Sequence, residues 1–340
     1  MTIPLAAAIG CRRQPPAPVR PLLVVLGRSE NLARLVDPDS GEIRGQIATG
    51  VGPQEVVISG RLGIVTNHGS RENPGFSLTV LDLQAIRALR TLSLGRFRRP
   101  HGIARMKDGR RVVVACEGSR SLLVVNIESG RIEQAIPTTR DTTHQVVLSP
   151  DESRAWVADR DGGRVVWLDL TSSRLVSELK VGRSAEGIAI SPDGATLWVA
   201  DRAADRLVLL DPERFVVMNS LTCRESPVRL AFTPDGEHLL VTNTLSADLA
   251  VFSVRDLREV IRVPLGWTAE ERRSELSRDR LSPVPAGIAI DPRWGRAFIS
   301  HPSSGLVSVV DLRIWQVVRR LPAGERPDGL AYLSGDDLTA

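Results

Sequence analysis

The sequence predicts an all-β chain folded as a seven-bladed β-propeller with four-stranded blades. Three observations carry this. One stretch recurs seven times, each copy repeats the same strand-and-turn pattern, and the two ends of the chain supply complementary parts of one copy. Repeats at a fixed period of 20–50 residues signal solenoids, propellers or arrays.

The clearest copy runs from Ser184 to Asp201. Aligned on the first large apolar residue, the seven copies are anchored at Val56, Ile103, Val146, Ile188, Leu230, Ile288 and Leu330, in steps of 47, 43, 42, 42, 58 and 42 residues. Within that copy the expected strands are Gly187–Ser191, Thr196–Asp201, Arg206–Asp211 and Phe215–Leu221. Each is a short Val/Ile/Leu-rich run bounded by turn residues. The first turn recurs as Ser149-Pro-Asp-Glu152, Ser191-Pro-Asp-Gly194 and Thr233-Pro-Asp-Gly236. Proline presets φ at the first central position of such a turn.

Third strands end on Asp37, Asp82, Asn126, Asp169, Asp211, Ser253 or Asp311. A short polar side chain there can accept from backbone two residues on, so these positions read as structural. In the first strands, Gly102/Ala104, Gly187/Ala189, Gly287/Ala289 and Gly329/Ala331 alternate with larger apolar residues. Period-2 alternation sends small groups to one face and bulk to the other, as sheets stacked around an axis require. Residues 22–49 hold a second, third and fourth strand, and residues 329–333 hold a first strand. Pairing them closes the ring and removes two free edges.

Composition describes an ordinary globular protein, 42% apolar and 25% charged, with a net charge of +4. No apolar run approaches the ~18–20 residues that span a bilayer. Three cysteines make no disulfide framework, and the absence of CxxCH and CxxC leaves covalent haem and a cysteine zinc site unsupported. No cofactor is expected.

Residues 1–20 stand apart from the propeller at 21–340. Ala8-Ile9-Gly10-Cys11 follows a short apolar start and precedes a proline-rich stretch. This resembles the lipobox of bacterial lipoproteins, which implies acylation at Cys11 and an extracytoplasmic location. The missing basic n-region leaves open a disordered cytoplasmic terminus. The repeat before Ile288 is longer by about 16 residues, and its extra segment, 266–284, has Thr268 and Glu271 in capping-box spacing. A short helix from about Ala269 is expected there.

Val65-Thr66-Asn67 and Val241-Thr242-Asn243, with the variants Val157-Ala-Asp159 and Val199-Ala-Asp201, resemble the core motif of YVTN-family β-propellers. The likeness covers about residues 22–335. It implies the same fold, with binding proteins, lactonases and cytochrome- or quinoprotein-associated propellers as relatives. Thr268 to Arg273 is similar to the lead-in of a di-haem peroxidase domain that some YVTN propellers carry.

The expected site is the channel mouth, where loops entering first strands and loops leaving second strands open on one face. Residues two before the anchors should face it: Gln54, His101, His144, Glu186, Val228, Ala286 and Asp328. His68, Glu117, Arg160, Arg202 and His301 add to it, with His238 on the opposite turn. Imidazoles with Glu186 and Asp328 could ligate a metal, but they come from separate blades without tight spacing, so none is expected. Arg99, Arg140, Arg183, Arg224 and Arg326 lie in loops entering first strands, beside Arg229. A ring of guanidinium groups suits carboxylates or phosphates. The bland alternative is a solvated rim neutralised by Glu225, Glu325, Asp141 and Asp161.

Nucleic acid is disfavoured, since six Phe and one Tyr leave little to stack on bases. No nucleophile elbow, P-loop or HExxH occurs. The reading is a non-catalytic extracytoplasmic propeller binding an anionic small molecule or acidic protein surface. The alternatives are a lactonase-like hydrolase, using Glu186 or Asp328 with His101 or His144, and a partner subunit of a haem or quinone redox protein.

Overall fold

The structure, a computed structural model, describes residues 21–138, 142–274, 281–293 and 295–334. Seven four-stranded antiparallel sheets stand in a ring. Their innermost strands are Pro53–Ser59, Pro100–Arg105, Thr143–Leu148, Ala185–Ile190, Pro227–Phe232, Ile288–Asp291 and Pro327–Leu333. Each touches the next around the axis, and Pro327–Leu333 touches Pro53–Ser59 to complete the circle. The closing blade is shared by the two ends of the chain: Pro327–Leu333 pairs antiparallel with Leu22–Gly27, with Leu330 opposite Val25 and Tyr332 opposite Leu23. Among the described residues no helix is long and apolar enough to cross a membrane.

Local hydrogen bonds explain why the turns fall where they do. The Oδ1 atoms of Asp37, Asp82, Asn126, Asp169, Asp211 and Asp311 and the Oγ of Ser253 each accept from backbone N–H two or three residues on. In the first turns, Glu152, Gly194 and Gly236 donate to the carbonyls of Ser149, Ser191 and Thr233. All three sit at positive φ, 58°, 74° and 73°.

The core is a set of apolar slabs between adjacent blades. One holds Ile64, Val80, Val112 and Val114. Another holds Trp156, Val165, Leu197 and Val208, and the slab at the chain closure holds Leu23, Val25, Phe298 and Val309. Near the axis, blades approach too closely for ordinary side chains. A Cβ on Gly102, Gly187, Gly287 or Gly329 would lie 2.4, 2.5, 2.4 and 2.4 Å from the carbonyl oxygens of His144, Val228, Asp328 and Gln54 in the next blade. Hydroxyls also cross between blades, Thr66 Oγ1 donating to His101 O at 3.0 Å and Thr242 Oγ1 to Ala286 O at 2.9 Å.

The insertion contains the helix Ala269–Arg273, and both arms of its capping box are made: Thr268 Oγ1 accepts from Glu271 N at 3.0 Å, and Glu271 Oε2 from Thr268 N at 2.9 Å. The buried Arg320 reaches Glu271 Oε1 at 2.7 Å and Gly266 O at 2.9 Å, pinning the helix to the last blade. Cys116 and Cys223 are free and buried, and burial pushes both thiols up to about 12. Cys11 lies outside the described residues.

Candidate functional site at the channel mouth

Two positions per blade converge on the mouth. The residues two before the anchors (Gln54, His101, His144, Glu186, Val228, Ala286 and Asp328) all line one cavity of about 540 Å³. The equivalent position at or just past the end of the second strands contributes Arg28, His68, Glu117, Arg160, Arg202 and Thr244. The period-2 register puts both sets at the same end of the sheets, so seven repeats deliver a ring of side chains from residues distant in sequence.

The floor is a network of histidines and carboxylates. Glu117 Oε1 lies 2.7 Å from His144 Nδ1, and Glu117 Oε2 lies 3.0 Å from His68 Nε2. The far side of His144 faces Glu186, with Nε2 and Oε1 3.4 Å apart. His101 lies over His144, ring centroids 3.9 Å apart, and meets His68 edge-on at 5.7 Å. His68, His101 and His144 are 7%, 4% and 2% exposed.

Protonation follows from those contacts. Burial opposes the charge on His144, but hydrogen bonds to Glu117 and Glu186 win and raise its pKa. Burial likewise opposes ionised Glu117, yet His144 and His68 hold it well below the usual carboxylate range. Glu186, against the same desolvation, is drawn down to about 2 by His144. Burial, reinforced by His144 beside it, pushes His101 well below the ordinary histidine range. These contacts favour the charged form of His144 between its two carboxylates and the neutral form of His101. Asp328 is shifted the other way, raised by burial although Arg229 opposes it.

Below the mouth, the residue just before each anchor decides what occupies the axis. It reads Glu55, Gly102, Gln145, Gly187, Arg229, Gly287 and Gly329 around the ring. The three large residues come from alternate blades and meet. Glu55 Oε1 accepts from Arg229 Nη2 at 2.6 Å and from Gln145 Nε2 at 2.8 Å, a polar plug across the channel. Glu55 and Gln145 escaped the sequence reading, although the alternation of glycine with a long polar residue was the signal. Arg28 was also missed; it stands at the terminal blade's counterpart of His68 and Arg160.

The arginines divide. Arg99, Arg160, Arg202 and Arg229 line the mouth with Arg28. Arg183, Arg224 and Arg326, expected there, do not: Arg183 and Arg224 are exposed on the surface, and Arg326 lines separate concavities with Ser29 and Gly52 or with Glu325 and Gly324. Arg183 lies earlier in a loop that runs from the outermost strand to the innermost and so stays on the rim, whereas Arg326 holds the same repeat position as Arg99, directly before its innermost strand, and still turns away from the mouth. Arg140 lies outside the described residues. His301 also leaves the mouth. It is the last residue of its strand rather than the next one, and a one-residue offset turns a side chain to the other face. It is fully buried, with Nε2 2.6 Å from Ser308 Oγ and its pKa lowered to about 3 by burial beside Arg320. His68, His101 and His144, expected at the mouth from separate blades without tight spacing, are brought into contact because the ring closes those blades onto one floor.

Fold and mouth together define a seven-bladed β-propeller with a basic axial pocket floored by histidines and carboxylates. Residues 107–278, just over half of the chain, match the family model described as the Cytochrome D1 heme domain, and the chain belongs to that family. The YVTN likeness of the second strands remains one of motif. Among solved structures, Kuenenia stuttgartiensis hydrazine synthase is similar at 20% identity and TM-score 0.69, covering 84% of this chain and 90% of that one. A functionally unknown protein from Desulfotomaculum acetoxidans is similar at 17% identity and TM-score 0.76, covering 92% and 99%. The Myceliophteria thermophila Cps50 (Swd1) β-propeller domain is similar at 14% identity and TM-score 0.67, covering 82% and 89%. At these identities the likeness shows the fold alone. No curated protein matches the sequence.

Proposed function

We propose that this protein is a non-catalytic propeller that partners a haem redox protein, receiving an acidic surface of that partner on its arginine-rimmed mouth. The observation that carries the reading is the gathering of Arg28, Arg99, Arg160 and Arg202 around one opening. Their acidic neighbours neutralise them only in part: Arg28 pairs with Asp328 at 3.8 Å, Arg202 with Glu186 at 3.6 Å and Arg160 with Asp161 at 3.4 Å, long contacts that leave guanidinium donors open to a partner. Positive potential at a concave rim steers acidic partners and suits bidentate contact with carboxylates. The family description names a haem, and hydrazine synthase shares the fold, which favours a redox setting over a free anionic metabolite.

A haem does not fit the mouth itself. A macrocycle needs apolar faces, and the lining offers only Val228 and Ala286 among charged and polar groups. The haem therefore belongs to the partner. Of the acid/base candidates for a hydrolase, His144 faces a carboxylate on each nitrogen, which argues against it as the base. In this reading the propeller works outside the cytoplasm, and acylation at Cys11 would tether it to a membrane surface.

The test is isolation of the tagged protein at low salt from the organism that encodes it, followed by visible spectroscopy. A Soret band travelling with a second polypeptide is expected, lost at high salt and in the double variant Arg160→Glu/Arg202→Glu. A preparation without haem, or a haem protein held regardless of salt and charge reversal, overturns the reading.

A further inference from the structure

We infer that the floor of the mouth is a site for a single divalent metal ion, held by His101, His144 and Glu117. This goes beyond the docking proposal and does not depend on it. Each of the three residues offers one ligand atom within 4.8 Å of the other two, and all three are buried. Four-coordinate zinc with bonds of about 2.1 Å sets its ligands roughly 3.4 Å apart, so movements of about an ångström would close the set. The short contact between His144 Nδ1 and Glu117 Oε1, 2.7 Å, is where a cation would replace a shared proton.

The surroundings supply what ligands of a bound ion require. Ligating imidazoles characteristically have a carboxylate, carbonyl or water on their other nitrogen, and ligating carboxylates are themselves hydrogen-bonded. Glu186 faces the far nitrogen of His144 at 3.4 Å, and His68 Nε2 holds the second oxygen of Glu117 at 3.0 Å. A second observation is independent of the cluster's composition. Beside the cluster, His68 Nδ1 and Glu186 Oε2 are buried without a hydrogen-bond partner among the described residues. Buried polar atoms left unmatched in a native site call for an explanation such as an ion or water. Imidazole with carboxylate suits zinc, iron or nickel rather than magnesium or calcium.

The probe is Zn²⁺ or Co²⁺ added to purified, untagged, chelator-treated protein. One equivalent of Co²⁺ should bind with the visible absorption of a low-coordinate nitrogen/oxygen site, and Zn²⁺ should displace it. His101→Asn, which removes a ligand but none of the Glu117 hydrogen bonds, should weaken binding at least tenfold while circular dichroism stays unchanged. Glu117→Gln should do the same. His238→Ala should leave binding intact; it tests the exposed group Asp235, Glu237 and His238. Absence of stoichiometric binding overturns the proposal, as does binding indifferent to His101→Asn and Glu117→Gln, or lost in His238→Ala. No partner protein enters this measurement, so its failure leaves the docking proposal standing.

Discussion

His144 and Glu117, from neighbouring blades, meet at 2.7 Å on the channel axis, and the opposite nitrogen of the same imidazole faces Glu186 from the blade beyond. One side chain therefore couples three consecutive blades.

That coupling predicts a pH window for stability. The pKa of His144 is raised above 6.5, so its charged form contributes fully below pH 6.5 and is lost as pH rises through the raised value. Glu186 is depressed from 4.5 to about 2, so its contribution is present above pH 4.5 and lost as pH falls toward 2. Removing one partner of a buried pair costs about 3 kcal/mol. Thermal unfolding of the native protein and His144→Gln should differ most between pH 4.5 and 6.5. The gap should narrow at higher pH. A gap that grows with pH would sink the assignment.

Glycine near the axis is required by the approach of the next blade's backbone. Gly187→Ala would set a Cβ 2.5 Å from Val228 O, where no flexible side chain can yield. We expect a loss of about 1–3 kcal/mol, the usual cost of overpacking, in urea unfolding. Gly266→Ala, whose nearest atom is 3.8 Å away, should be close to neutral. Equal effects at the two sites would refute the packing argument.

The hydroxyl of Thr242 joins its blade to Ala286 O at 2.9 Å. Thr242→Val keeps the shape and leaves that carbonyl without its donor, which should cost about 1–3 kcal/mol. Thr242→Ser should recover most of it. If serine is no better than valine, the hydroxyl is not the source of the stability.

The insertion helix rests on its cap. Thr268→Ala should cost about 1 kcal/mol locally and speed proteolytic cleavage within 266–284, while global unfolding barely moves. Glu271→Gln should be worse, since the buried Arg320 loses its carboxylate partner. Cleavage rates unaltered in both variants would show that the helix is held by something else.

Much of the architecture was legible because a propeller blade is a local object. Strand runs, Pro-Asp turns and the polar residue closing each third strand are set by neighbours within a few positions, and repetition multiplies a weak signal. The mouth positions followed from register alone, since residues equally placed in equivalent strands must reach the same end of the ring. Arg183 and Arg326 were misplaced because loop path, unlike strand register, has no period. His301 was misplaced by one residue, enough to reverse its direction.

The repeat and its phase, written in the order of apolar, glycine and turn residues, determined seven sheets, their closure by the two chain ends and which residues face the axis. Tertiary structure alone decided what those residues do together. Distances between side chains on different blades depend on ring closure, so the His68–Glu117–His144–Glu186 network and the Glu55–Gln145–Arg229 plug exist only once seven locally specified units share one centre.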